Sequence, residues 1–170
     1  MLHWKKTTWN RWSFESSKKK IKNDFLVING DSFADLNLFN IFNKINKKHK
    51  IFLTRNRIYK TNLKLSNLSL DSKKKVQFKK NGDLMNAGVY FFKKNFLNLI
   101  KKNSFSLENE ILGKLIRQNK IYGELNNGYF IDIGTKKNLL YAKKTLTKYL
   151  TKPAAFLDRD GVINYDYGYV

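Results

Sequence analysis

Short apolar runs alternate with amphipathic stretches along this chain, and the alternation predicts a mixed fold. The apolar run Phe25–Asn29 stops at Gly30 and Asp31, as in a buried parallel strand that carries a carboxylate at its C-terminal end. Similar runs predict strands over Lys50–Thr54, Lys75–Phe78, Gly88–Lys93, Ile121–Leu125 and Tyr129–Ile133. Helical spacing predicts helices over Leu36–Lys47, Lys94–Lys101, Leu107–Gln118 and Lys136–Leu150. Because strands and helices alternate, we expect an α/β fold.

Two helix starts and one linker can be located from the same pattern. Ser106 and Asn109 form an incomplete capping box before the third predicted helix, and Thr135 can cap the fourth. The only proline, Pro153, marks a linker over residues 151–153. A new apolar strand follows at Ala154–Leu157, so we expect one domain over residues 22–150 and the start of a second over residues 154–170.

The composition excludes several kinds of site but does not identify the function. The chain has no cysteine, which excludes disulfides, thiolate metal sites and cysteine nucleophiles. The net charge of +21 would favour nucleic-acid binding. Lysine greatly outnumbers arginine, however, a bias that AT-rich codons produce without selection for binding, so most of this charge is expected on solvated faces. No apolar run reaches the roughly 18 residues of a membrane span, and Met1–Asn23 lacks a signal-peptide core, so we expect a cytoplasmic protein.

The first candidate site consists of two aspartates on predicted strands, each beside a glycine. Asp31 follows Gly30, and Asp132 lies two residues before Gly134. Two strand-borne carboxylates can hold a hard cation such as Mg²⁺, which takes oxygen ligands and completes its shell with waters and substrate phosphates. An aspartate near a glycine at a strand end is also a common turn or helix cap, so the spacing leaves both interpretations open.

The second candidate site is the small-residue stretch Asn86-Ala87-Gly88 with the acidic residue Glu108 after it. A glycine at this point would let the backbone approach a ligand such as a sugar ring. The side chains of Asn86 and Glu108 could bond sugar hydroxyl groups. The alternative is a plain strand start followed by a helix cap.

Four strings, taken together, are more specific than either site alone. FLVINGDSF, MNAGVYFF, SLENEILGKLI and GYFIDIGT occur in this order and resemble the later part of the sugar-phosphate nucleotidyltransferases, particularly those acting on heptose or mannose 1-phosphates. The resemblance covers about Lys22–Leu150. It implies that a sugar 1-phosphate attacks the α-phosphorus of a nucleoside triphosphate, with GTP favoured by family likeness, and expels pyrophosphate. It also implies a partial Rossmann-like sheet with flanking helices.

The resemblance assigns roles to particular residues. Asp31 and Asp132 match the aspartates that hold Mg²⁺ in such enzymes. Asn86, Gly88 and Glu108 match positions that bind the sugar, and a lysine from Lys79 or Lys80 is expected to bind its phosphate. The partners expected are therefore a nucleoside triphosphate and a sugar 1-phosphate.

A second resemblance begins after the linker. FLDRDGVIN resembles the opening of haloacid dehalogenase-type phosphatases that hydrolyse heptose 1,7-bisphosphate or histidinol phosphate. Asp158 matches their nucleophile, and Asp160 matches the acid/base. A heptose-bisphosphate phosphatase in a bifunctional protein is therefore the alternative function, although the rest of that family's site is not in this sequence.

The first residues depart from the nucleotidyltransferase pattern. The glycine-rich signature that cradles the triphosphate is absent, so we expect the chain to be inactive as it stands. Permitted codons for Thr8–Ser17, read one base later, translate as LGTGGALKA, which resembles a base-binding segment of the family. Residues 1–21 are therefore predicted to be out of frame or disordered. A basic non-enzymatic protein that binds nucleic acid is the remaining alternative.

Overall fold

The computed structural model describes residues 20–37, 48–55, 67–100 and 106–152. Eight strands lie in these ranges: β1 (Phe25–Ile28), β2 (Ser32–Ala34), β3 (Lys50–Thr54), β4 (Leu68–Leu70), β5 (Val76–Phe78), β6 (Met85–Phe92), β7 (Tyr122–Asn126) and β8 (Phe130–Asp132). Four of them form a central sheet in the order β1, β6, β3, β7. β6 runs antiparallel to β1 and β3, whereas β3 and β7 are parallel. The mixed α/β architecture predicted from the sequence is confirmed.

A two-stranded sheet beside the central one positions the candidate carboxylates. β2 pairs antiparallel with β8, and the register places Ser32 opposite Asp132. The turn between β1 and β2 holds Asp31, whose carbonyl accepts a hydrogen bond from the Ile133 N–H at 2.8 Å. Two segments that are about one hundred residues apart along the chain therefore meet at one point. β4 and β5 form a separate antiparallel pair.

The hydrophobic core lies along β3 and β6, the two central strands. Every residue of β3 is buried, as is β6 from Asn86 onward. Aromatic rings fill one face of this core: Phe92 stacks on Phe96 with centroids 3.6 Å apart, and on Tyr90 with centroids 5.7 Å apart. Such buried aromatic area is the main source of stability in a domain of this size.

The helices agree with the predictions to different degrees. The helix α2 (Lys136–Leu150) has the predicted bounds, and the Thr135 side chain caps it by accepting from the Asn138 N–H. The predicted helix Lys94–Lys101 is instead a short 3₁₀ helix over Lys94–Leu99. The predicted helix Leu107–Gln118 is a π-helical stretch, Leu107–Leu112, that continues as α1 (Gly113–Arg117). The N–H of Ser106 donates to the side chain of Glu110 at 3.0 Å, one residue beyond the predicted capping partner.

Two strand predictions were wrong in detail. β1 was expected to be buried among parallel strands, yet it is half-buried, its paired neighbour is antiparallel, and Ile28 is 53% exposed. β6 was expected to start at Gly88, but it starts at Met85, so Asn86 lies inside the strand and is buried. The short strands β2 and β4 were not predicted, because three residues carry too little alternation to be recognised.

Several predictions fall on residues that are not described. These are residues 1–19 of the expected out-of-frame segment, the helix Leu36–Lys47 from residue 38 onward, and the phosphatase-like stretch from residue 153 with Asp158 and Asp160. In the described part of the chain, no helix is both long enough and apolar enough to span a bilayer.

Candidate functional site

The structure brings Asp31 and Asp132 together, as the sequence predicted. A methyl carbon placed on Gly134 would lie 3.0 Å from Asp31 Oδ2 and 3.0 Å from Asp132 Oδ1. One oxygen of each carboxylate therefore lies beside the space that a side chain at position 134 would fill. The Gly134 N–H donates to Asp132 Oδ1 at 2.7 Å and fixes the orientation of that carboxylate.

The electrostatics of Asp132 reflect this arrangement. Burial raises the pKa of the Asp132 carboxyl above its ordinary value, the Gly134 hydrogen bond lowers it, and the charge of Asp31 raises it. The net direction is upward. A carboxylate that is partly desolvated and faces another negative charge is stabilised by a nearby cation.

The residues present fit a divalent cation. Two carboxylates are the oxygen ligands that Mg²⁺ prefers when water and substrate phosphates supply the rest of its shell. Within the described ranges, no group of three or more acidic, histidine or cysteine side chains could hold a metal by protein ligands alone. The pair therefore suits a cation that is shared with a phosphate ligand.

The second candidate set forms a connected group around Asn86. The Asn86 Nδ2 group donates to the Tyr90 hydroxyl at 2.6 Å and to Glu108 Oε1 at 3.2 Å. Asn86 Oδ1 accepts from the Gly88 N–H at 2.9 Å. Asn86, Gly88 and Glu108, all predicted from the sequence, therefore lie in one hydrogen-bonded group. Glu108 comes from the π-helical stretch, a form of helix that is often found at functional sites.

Position 88 requires glycine both for its backbone conformation and for close packing. Its φ is +70°, a conformation that residues with a side chain rarely adopt. A Cβ atom there would lie 2.7 Å from Ser32 Oγ and 3.1 Å from the Asn29 side chain. The backbone conformation and the close packing of the β1–β2 turn therefore require glycine at this position.

Tyr90 and Asn29 join the two sets, and neither was singled out from the sequence. The Tyr90 side chain is fully buried, and its hydroxyl interacts with Asn86 and Asn29. Burial raises the pKa of Tyr90 above its ordinary value, and the nearby charges of Glu108 and Asp31 raise it further. The Asn29 Oδ1 atom is buried without a hydrogen-bond partner in the described structure. Tyr90 reads as an ordinary core aromatic in the sequence, and only its contacts reveal a polar role.

The two predicted phosphate-binding lysines are on the surface of the protein. Lys79 and Lys80 are exposed on the turn that follows β5. The Lys79 N–H donates to the carbonyl of Asn67, and the Gly82 N–H donates to the carbonyl of Lys79. These bonds tie the turn to the start of β4.

Two cavities lie at the segment Asn126–Gly128, after β7. Their volumes are about 380 and 490 Å³, and both are lined by Asn126, Asn127 and Gly128. Neither is lined by the carboxylate pair or by the Asn86 group. The polar contacts, and not these two cavities, identify the candidate site.

Known proteins resemble this chain over about three quarters of its length. It is 31% identical over 143 residues to the bifunctional protein GlmU of Methanococcus aeolicus, covering 78% of this chain and 34% of that protein. It is 32% identical over 133 residues to the D-glycero-alpha-D-manno-heptose 1-phosphate guanylyltransferase of Campylobacter jejuni, covering 74% of this chain and 58% of that protein. The chain thus spans between a third and three fifths of these relatives. No family model matches it.

Solved structures show the same fold. HddC from Yersinia pseudotuberculosis, also determined in complex with GMP-PN, superposes with a TM-score of 0.62 at 20% identity, over 83% of this chain and 64% of that one. The inositol-1-phosphate CTP transferase from T. maritima superposes with a TM-score of 0.63 at 18% identity, over 86% of this chain and 64% of that one. With the curated relatives, these likenesses lead to one conclusion: the homologues of this chain are sugar-phosphate nucleotidyltransferases, and its described part has their mixed α/β fold.

Proposed function

We propose that this chain carries the metal- and sugar-binding part of a sugar-1-phosphate nucleotidyltransferase. The observation that carries the proposal is the pairing of Asp31 and Asp132 across Gly134, next to the hydrogen-bonded group around Asn86. The carboxylates of Asp31 and Asp132 suit a cation that is shared with a phosphate. The amide of Asn86 and the carboxylate of Glu108 suit sugar hydroxyl groups. Together they match a substrate that has both a phosphate and a sugar. The guanylyltransferase and GlmU relatives support the same class of reaction.

In this reaction, a phosphate oxygen of the sugar 1-phosphate attacks the α-phosphorus of the nucleoside triphosphate, and pyrophosphate leaves. Asp31 and Asp132 would hold Mg²⁺, which would supply positive charge to offset the charge that develops on the phosphates. The chain's own contribution is positioning: Gly134 leaves space between the carboxylates and orients Asp132 through its N–H. The described groups imply no covalent intermediate on the protein.

The sugar would be held by the group around Asn86. Asn86 and Glu108 are already joined by a hydrogen bond, so their orientation is set before a ligand arrives. Groups that are held in place in this way bind hydroxyls at a smaller entropic cost. Two relatives favour a heptose or mannose 1-phosphate and GTP as substrates. They are the Campylobacter jejuni protein described above and the mannose-1-phosphate guanyltransferase of Pichia angusta, which is 32% identical over 71 residues, covering 42% of this chain and 20% of that protein. A lysine from Lys79 or Lys80, both exposed on the turn after β5, would contact the sugar phosphate.

The proposal is tested by ligand binding and by product formation. GTP with Mg²⁺, and mannose 1-phosphate or the heptose 1-phosphate, should raise the melting temperature of the full chain, because a ligand that binds only the folded state stabilises it. Pyrophosphate release from GTP and either sugar phosphate then tests turnover. The Asp31→Asn variant should lose the Mg²⁺-dependent part of the stabilisation. A wild-type chain whose melting temperature is unaffected by all of these ligands would contradict the proposal.

A further inference from the structure

The side chain of Tyr90 lies where a phenylalanine ring would pack equally well, so packing alone does not explain its hydroxyl group. The ring lies in the aromatic core, stacked nearly parallel to Phe92 with an interplanar angle of 5°, and the residue has no exposed surface. Burying a hydroxyl costs free energy unless the group is hydrogen-bonded. The contacts made by this hydroxyl therefore indicate what it contributes.

Those contacts hold the Asn86 amide in one orientation. Nδ2 has two hydrogens and two acceptors, the Tyr90 hydroxyl at 2.6 Å and Glu108 Oε1 at 3.2 Å. The other end of the amide is held by the Gly88 N–H. Asn86 is itself only 5% exposed, so water cannot readily replace a lost partner.

The same hydroxyl also interacts beyond the Asn86 group. It interacts with the Asn29 side chain, two residues before Asp31 on the chain, and the Asn29 N–H donates to the carbonyl of Gly88 at 2.8 Å. The turn that carries Asp31 is therefore joined to the strand that carries Asn86. A phenylalanine ring would preserve the core packing and leave this point without a polar group.

We propose that Tyr90 is a positioning residue for sugar binding, whose hydroxyl orients the Asn86 amide and, through it, Glu108. The inference rests on the function proposed above for Asn86 and Glu108. Because Tyr90 is buried, it acts through these two side chains and does not touch the sugar.

The experiment compares Tyr90→Phe with Tyr129→Phe in the full chain. Tyr129 is a matched control because its hydroxyl also makes one internal hydrogen bond, to Thr145 Oγ1 at 2.9 Å, and it lies outside the Asn86 group. Calorimetric titration with mannose 1-phosphate in the presence of Mg²⁺ should give a dissociation constant raised roughly three- to tenfold in Tyr90→Phe, the loss expected for one hydrogen bond. Tyr129→Phe should bind as the wild type does. Mg²⁺ affinity should stay unchanged in both variants because both carboxylates remain.

A second measurement is independent of the ligand. The side-chain amide signals of Asn86 in nuclear magnetic resonance spectra should shift and exchange faster with water in Tyr90→Phe, and should be unchanged in Tyr129→Phe. Unchanged Asn86 signals, or equal sugar-phosphate binding by Tyr90→Phe and the wild type, would overturn the inference. A wild-type chain that binds no sugar phosphate would instead count against the proposed function, and the Asn86 signals would still decide whether Tyr90 orients that amide.

Discussion

At the scale of single residues, the carboxylate pair accounts for much of the site's chemistry. Asp132 is half-buried and faces Asp31, so its ionised form is disfavoured relative to an exposed aspartate. A bound cation would stabilise the ionised form of both carboxylates. Removing the charge of Asp132 should therefore change the stability of the chain, whereas filling the space beside Gly134 should change its affinity for Mg²⁺.

Replacing Asp132 by asparagine should stabilise the chain at neutral pH in buffer without divalent cations. The pKa of Asp132 is raised in the folded state, so the folded state holds the proton more tightly than the unfolded chain. Ionisation therefore costs stability above this pKa, and the cost disappears as the pH falls through it. Melting temperatures of wild type and Asp132→Asn should differ at pH 7 and converge in acid. A variant that is less stable than wild type at pH 7 would contradict this.

Replacing Gly134 by alanine should weaken Mg²⁺ binding by about tenfold, the lower end of losses seen when groups around a metal are disturbed. The added Cβ would lie 3.0 Å from an oxygen of each carboxylate and force them apart. Gly30→Ala is the control, because its Cβ would meet no atom within 4 Å apart from those of its two chain neighbours. Titration of both variants with Mg²⁺ or Mn²⁺ measures the effect, and equal affinities would show that the space beside Gly134 is not used.

At the scale of secondary-structure elements, α2 shows how local signals and packing combine. Its cap was visible in the sequence, whereas its docking was not. Tyr129 stacks on Tyr149 with centroids 4.5 Å apart, and the Tyr149 hydroxyl donates to Asp35 next to β2. These contacts hold the helix against the β2–β8 pair, which carries Asp132.

Removing the cap of α2 should cost about 1 kcal/mol of unfolding free energy, the usual value for a threonine N-cap. Thr135→Ala loses the acceptor for the Asn138 N–H. Thr147→Ala is the matched control, since Thr147 is exposed in the last turn of the same helix and alanine favours helix there. Denaturant titrations of both variants should show a loss only for Thr135→Ala. Equal stabilities would mean that packing alone determines where the helix starts.

At the scale of the whole molecule, the charge of +21 is the dominant feature. Few ion pairs offset it in the described ranges, where Lys50–Glu124, Arg55–Asp83 and Lys93–Asp24 are found. Such pairs contribute little when they are exposed. A folded chain with this excess of positive charge repels itself.

Added salt should therefore raise the melting temperature. Raising the ionic strength from about 0.01 M to about 0.15 M shortens the screening length from roughly 30 Å to roughly 8 Å, less than the width of the domain. Sodium chloride and potassium chloride should act alike at equal ionic strength, because the effect is one of screening. A melting temperature that falls with salt would indicate that attractive ion pairs outweigh the repulsion.

The sequence by itself determined the element types, the bounds of α2 and the identity of most candidate site residues. These depend on local periodicity, capping and short motifs, which are properties of neighbouring residues. Asp31, Asp132, Asn86, Gly88 and Glu108 were all predicted in this way, and the structure groups them as two adjacent sets.

The tertiary structure alone decided how those sets are joined. The pairing of β2 with β8, the hydrogen bond between Asn86 and Glu108 and the requirement for glycine at position 88 each depend on segments that are distant in the sequence. No local pattern encodes such contacts, because they exist only once the chain has packed.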